Sequence, residues 1–205
     1  MNLSYLALGD SYTIGEGVLP EENFPSQAVT LFNAAEKNQD IKIAAPRIIA
    51  TTGWTTDELD AAIDAAAINQ TYDFVSLLIG VNNQYRGRSV AEYKVQFHHL
   101  LQRAIGFAAN NTKHVFVLSI PDWGVTPFAE GRDRDKIARE IVEYNATAAA
   151  ICSGHAVLFI DITTAQRPDG DKPEFLVADQ LHPSSREYSK WAAKLASAFL
   201  NTVKH

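Results

Sequence analysis

The sequence predicts an α/β fold: a five-stranded parallel sheet with helices on both faces, forming a three-layer α/β/α sandwich. Three observations predict it. Short apolar runs alternate with longer segments of helical period, which is the pattern of successive βαβ units. The short runs are rich in Val, Ile and Leu, as expected of strands covered on both faces. The 205 residues, 46% hydrophobic and 20% charged, suit one domain with a well-buried core. No repeat, low-complexity tract or Pro/Gly/Ser-rich linker divides residues 1–205.

In chain order, the first strand is expected over residues 5–8 and the first helix over 25–37. The second strand lies within 41–50, and the second helix starts after Thr55-Thr56, where a hydroxyl can cap it and Asp57 and Glu58 favour its positive end. A third strand at 74–79 leads to a helix at 90–109, and a fourth at 115–120 to a helix at 134–151. The fifth strand, 157–160, precedes a last helix at 184–202, with Pro183 placed to open it. The segments 121–132 and 163–179 are long enough to be functional loops.

Composition excludes several partner classes. The net charge of −6, with no cluster of Lys and Arg, argues against an electrostatic grip on nucleic acid or anionic membrane. No apolar run approaches the roughly 18–20 residues that span a bilayer. The N-terminus shows neither a basic n-region nor a long apolar h-region, which predicts a cytoplasmic protein. Cys152 is the single cysteine, so no intramolecular disulfide forms, and nothing near it has metal-ligand spacing. His98 and His99 fall inside the third helix and read as one partly exposed and one packed residue. His114, His155 and His205 read as surface residues. No metal and no cofactor are expected.

In an open α/β sheet, ligands bind beyond the carboxyl ends of the strands, so residues there carry the chemistry. Ser11 follows the first strand directly in Gly9-Asp10-Ser11. A serine hydroxyl is a weak nucleophile without a base, and the base needs a third group to fix its tautomer. In Asp179-Gln180-Leu181-His182-Pro183, His182 can serve as base and Asp179 can orient it. Acyl transfer also needs donors aimed at the developing oxyanion. The backbone N–H groups of Ser11 and Gly53 and the side-chain amide of Asn82 follow three different strands that the sheet would bring to one rim. Taken singly, each block has an ordinary structural reading as a turn, a cap or a helix start.

The ordered set, Gly9-Asp10-Ser11, Gly53, Gly80-x-Asn82 and Asp179-x-x-His182, resembles the SGNH hydrolases, the GDSL esterase/lipase superfamily. The resemblance implies a flavodoxin-like sheet of five strands, a nucleophile at Ser11, a base at His182 partnered by Asp179, and oxyanion donors at Ser11, Gly53 and Asn82. Two positions depart from the usual pattern: Tyr12 stands where Gly-Asp-Ser is commonly followed by Leu, and Asn83 where Gly-x-Asn is commonly followed by Asp. The implied activity is metal-free hydrolysis of a small-molecule carboxylic ester: an acyl ester, a lysophospholipid or an O-acetyl group. An acyltransferase using the same residues and a non-catalytic carbohydrate- or lipid-binding module are the rival readings. Tyr12, Trp54, Tyr85, Trp123 and Leu181 are the candidates to line a substrate pocket, together with Ile14 and Phe128. Arg86 and Arg88 are placed either to meet an anionic group or to be solvated.

Overall fold

The computed structural model describes residues 1–35 and 40–203. Short strands β1 (Asn2–Leu3) and β3 (Lys42–Ile43) pair in a two-stranded parallel ribbon. The main sheet contains β2 (Tyr5–Asp10), β4 (Arg47–Thr51), β5 (Phe74–Leu78), β6 (Val115–Leu118) and β7 (Leu158–Ile160). Its five strands are all parallel, in the order β4-β2-β5-β6-β7. The fold is therefore α/β with a five-stranded parallel sheet flanked by helices, as the alternating pattern predicted.

The inner strands β2, β5 and β6 are buried along their whole length, which explains their unbroken apolar runs. Full cover fails at the two edges. All of β4 and the first two residues of β7 are partly or fully exposed, because an edge strand has a neighbour on one side only. The segment 41–50 divides into β3 and β4 around Pro46, which cannot donate to a ladder.

The long helices begin on side chains that can bond free N–H groups. In α2 (Phe24–Ala34) the Asn23 side chain accepts from the Ser26 N–H at 2.9 Å. In α3 (Thr56–Ala65) Thr55 is the cap and its N–H donates to Glu58 at 2.9 Å, the reciprocal arm of a capping box. Before these, a single turn, α1 (Ser11–Ile14), follows β2. The short α4 (Val81–Tyr85) then precedes α5 (Val90–Phe107), α6 (Arg134–Gly154), the one-turn α7 (Thr163–Gln166) and α8 (Ser185–Thr202). The expected end of the first helix, Lys37, lies outside the described residues, as does His205. Helix α6 runs past residue 151 to Gly154. Pro183 precedes the cap Ser184 instead of occupying the first turn of α8; it lies in an antiparallel bridge opposite Leu176, where the Val177 N–H donates to the His182 carbonyl and the Ser184 N–H to the Phe175 carbonyl, both at 2.9 Å. No described helix is long and apolar enough to cross a membrane.

Helix α2 packs on α8, and α5 packs on α6 and α3. The core is centred on Phe199 of α8, which is fully buried. Its ring stacks on Phe74 with centroids 4.5 Å apart and planes 7° from parallel, and meets Tyr5 and Phe116 edge-on at 5.1 and 5.0 Å. One side chain thus ties α8 to the three inner strands. Phe199→Ala is expected to lose about 3–5 kcal/mol of folding stability. Equilibrium urea unfolding checks this, and a loss below about 1 kcal/mol would contradict the central placement.

Candidate active site

The strand order places the site. After β2 the chain crosses to β4 on one side and returns to β5 on the other, so the carboxyl ends of these three strands meet where connections diverge. Gly9 pairs with Ala50 on one side and Leu78 on the other. A Cβ at Gly9 would sit 2.1 Å from Thr13 Oγ1 and 2.5 Å from the Leu78 carbonyl, so only glycine allows α1 to fold back over the strand end.

Ser11 is the first residue of α1, and the Asp10 carboxylate caps the turn by accepting from the Tyr12 N–H at 3.0 Å. The turn ends at Gly15, whose left-handed φ of 82° lets its N–H and that of Glu16 reach the Ser11 carbonyl at 3.1 and 3.0 Å. Ser11 Oγ lies 2.9 Å from His182 Nε2, and His182 Nδ1 lies 2.6 Å from Asp179 Oδ2. The other Asp179 oxygen accepts from the backbone N–H groups of Leu181 and His182, both at 2.9 Å.

These contacts determine which ring nitrogen carries hydrogen. Partial burial pushes the Asp179 carboxyl up, but the bonds from the His182 ring and the two backbone N–H groups outweigh it and hold it below the usual carboxylate range. An ionised carboxylate only accepts, so Nδ1 must donate to it. In the neutral ring, Nε2 is then the acceptor and the Ser11 hydroxyl the donor. Asp10 experiences the opposite balance. Its complete burial pushes it up to about 7, with the Tyr12 N–H lowering it only in part.

Ser11, Gly53, Asn82 and His182 line one cavity of about 170 Å³, with Tyr12, Thr52, Val81, Tyr85, Trp123, Phe128 and Leu181. Four of the five expected pocket residues are among them. Trp54 is not: its ring packs half-buried against the core, and its carbonyl accepts from Asn82 Nδ2 at 2.9 Å. Ile14 also lies outside the lining. Both arginines are engaged with protein groups: Arg86 Nη2 donates to the Gly53 carbonyl at 2.7 Å while Nη1 reaches Glu58 at 3.2 Å, and Arg88 pairs with Asp57 and Glu92.

Several contacts carried no sequence signal. The Trp123 indole donates to Gln84 at 2.7 Å, and Gln84 in turn donates to Glu140 at 2.7 Å, which fixes the indole's orientation at the wall. Asn83, at a departure from the family pattern, accepts from the Thr56 N–H at 3.1 Å and donates to the Thr56 hydroxyl at 2.7 Å, tying α4 to the start of α3. His114 is half-buried instead of surface-lying, its Nδ1 donating to the Asp73 carbonyl at 2.7 Å. Among the described residues, no group of three or more His, Cys, Asp or Glu is arranged to hold a metal ion.

The model of the GDSL-like Lipase/Acylhydrolase family matches residues 7–190. No curated protein sequence matches the chain. Among solved structures, TesA is similar with a TM-score of 0.68 at 18% identity, covering 98% of both chains. A lipase/acylhydrolase from Enterococcus faecalis is similar with a TM-score of 0.69 at 20% identity, over 98% of this chain and 96% of that one. A variant of an acetyl xylan esterase from Geobacillus stearothermophilus gives 0.70 at 22%, over 98% and 94%. At these identities the likeness is one of fold.

The raised Asp10 carboxyl has a thermodynamic signature. Its ordinary value is 3.8 and its folded value about 7, so between these the unfolded chain has released a proton that the folded chain keeps. Stability from this group therefore falls as pH rises through that window and levels off above it. Asp10→Asn, which can still cap α1, is expected to flatten this part of the stability–pH curve measured by urea unfolding from pH 4 to 8. Parallel curves for the two proteins would contradict the assignment.

Proposed function

The chain belongs to the GDSL-like lipase/acylhydrolase family, whose members are serine ester hydrolases, and on that premise we propose that Ser11 attacks small esters of short acyl groups. The observation that carries this reading is the hydrogen-bonded line Asp179–His182–Ser11, at 2.6 and 2.9 Å, opening into the cavity that Gly53 and Asn82 also line.

The steps follow from that line. His182 Nε2 takes the Ser11 proton as Oγ bonds to the ester carbonyl carbon, and the carbonyl oxygen becomes an oxyanion. The N–H groups of Ser11 and Gly53 and the Asn82 amide receive that charge. One Asn82 N–H is held by the Trp54 carbonyl at 2.9 Å, while the other has only a 3.5 Å contact with Asp10. That second contact is at the outer limit for a hydrogen bond, so the N–H is available to a ligand. The alcohol leaves with the proton from His182. Water, deprotonated by the same nitrogen, then attacks the acyl-enzyme and releases the carboxylic acid. Ionised Asp179 stabilises the imidazolium formed in both halves.

Size and lining support a short acyl group. The cavity of about 170 Å³ is smaller than the roughly 300–1,000 Å³ of drug-sized ligand sites. Its aromatic wall pairs Tyr85 with Trp123 edge-on at 5.2 Å, and Tyr85 and Phe128 remain substantially exposed at the rim. Apolar faces at the mouth suit the sugar ring or alkyl chain of an alcohol, so O-acetyl groups fit this reading better than long-chain lipids do.

Three outcomes are expected. Ser11→Ala should reduce p-nitrophenyl acetate turnover by several orders of magnitude with unchanged circular dichroism, and undiminished turnover would sink the proposal. Across p-nitrophenyl acetate, butyrate and octanoate, kcat/KM should be highest for acetate or butyrate; a maximum at octanoate would exclude the short-acyl reading. Arg86 acts through the Gly53 peptide it holds, as a positioning residue. Arg86→Gln should lower kcat about 10-fold, less than the 10²–10³ of a deleted oxyanion donor, with KM nearly unchanged. A change in KM alone would place Arg86 in substrate binding instead.

A further inference from the structure

One histidine pair lies outside the cavity and is used by none of the steps above. His98, on α5, and His155, the residue that ends α6, come from segments 57 residues apart, yet their Nε2 atoms lie 2.8 Å from each other. The ring centroids are 4.9 Å apart and the planes tilted by 43°. The pair sits in an open groove of about 530 Å³, which Lys94, Val95, Ile151 and Gly154 complete.

From this geometry, we propose that His98 and His155 bind a divalent transition-metal ion of tetragonal preference, Cu(II) or Ni(II), through both Nε2 atoms, with water completing the coordination. Two imidazoles at about 2.0 Å from a metal and at right angles have nitrogens about 2.8 Å apart, whereas tetrahedral coordination separates them by about 3.3 Å. The observed separation equals that of the right-angled arrangement and is also that of the hydrogen bond the metal-free pair makes, so both rings must rotate to turn their lone pairs from each other onto one ion. Without metal, one Nε2 must carry hydrogen to bond the other. Binding requires both to be unprotonated, and a shift of that hydrogen to Nδ1 of the same ring leaves each imidazole neutral.

The surroundings favour a cation on one side and oppose it on the other. His155 ends a 21-residue helix, where unpaired carbonyls give the helix its negative pole. Lys94 places an ammonium in the same groove and limits affinity. The opening leaves room for coordinated water, and with two protein ligands the expected affinity is micromolar. A bound ion would link α5 to the end of α6, two helices that already pack together.

The test is titration of the intact protein with CuCl2 or NiCl2 in a non-coordinating buffer near pH 7.5, followed by calorimetry and, for copper, electron paramagnetic resonance. The expected result is one equivalent bound with micromolar Kd and an axial copper spectrum with nitrogen hyperfine structure. His98→Asn and His155→Asn should each weaken binding at least 10-fold. His99→Asn, on the same helix but exposed and 3.3 Å from Asp60, should leave it unchanged. Thermal melting without metal verifies that each variant is folded, and either variant alone suffices if the other is not. Binding retained in both His98→Asn and His155→Asn, or no binding by the unaltered protein below millimolar metal, would overturn the proposal. Zinc bound as tightly as copper would overturn the tetragonal assignment.

Discussion

The parallel pairing of β2 with β4 on one side and β5 on the other is the constraint on which the rest depends. Residues at positions 9, 50 and 78 become neighbours across the sheet, so the segments that follow each strand share one rim. Ser11, Gly53 and Asn82 are within reach of one cavity for this reason, although some 70 residues of chain lie between the first and last of them. The pairing also explains why a glycine precedes Asp10. A side chain there would collide with both the returning turn of α1 and the neighbouring strand's carbonyl.

Two carboxyls close to Ser11 are driven in opposite directions by their surroundings. Asp179 sits at the surface end of a loop, with three N–H donors directed at it, and stays ionised. Asp10 is buried beneath the turn, with one good backbone donor and a long contact to Asn82, and holds its proton toward neutrality. The difference suits the proposed chemistry. A fixed negative charge is useful behind the imidazolium, where it opposes charge build-up, and harmful beneath an oxyanion, where it would add repulsion. With its carboxyl pushed up to about 7, Asp10 caps α1 while carrying less of that charge beside the Asn82 amide than an ordinary carboxylate would.

The sequence made the sheet legible because its inner strands are buried on both faces and its helices begin on recognisable caps, Thr55 with Glu58 being the clearest. Ser11, His182 and Asp179 were legible as a set because the proposed chemistry demands particular residue types in a particular order, and the structure places them in one hydrogen-bonded line. What was not legible depends on contacts between distant segments. Two-residue strands such as β1 and β3 have too little length to show a period. Trp54 reads as a pocket residue from its position beside Gly53, but its contribution is a carbonyl, which every residue possesses. Arg86 reads as a solvated or ligand-facing charge, and only the fold brings its guanidinium to the Gly53 peptide. Likewise His98 and His155 carry no ligand spacing in sequence, because the proximity of their rings is created by the packing of α5 on α6.

The loop that carries His182 shows how the wall of the cavity and the proton path are joined. Gln180, between Asp179 and His182, adopts a left-handed φ of 61°, a conformation that costs a residue with a side chain roughly 1–2 kcal/mol. That bend lets the Asp179 carboxylate turn back to the N–H groups two and three residues ahead. The bend is held from both sides: the Val177 N–H donates to the His182 carbonyl at 2.9 Å, and the Phe128 N–H donates to the Gln180 carbonyl at 3.2 Å. Phe128 also forms part of the aromatic wall. A backbone shift at 128 that widened the cavity would therefore pull on the peptide that orients Asp179. Under the proposed chemistry, the space for the acyl group and the alignment of the base are therefore coupled through backbone hydrogen bonds of this loop, the Phe128–Gln180 bond among them, so the wall is not free to vary independently of His182.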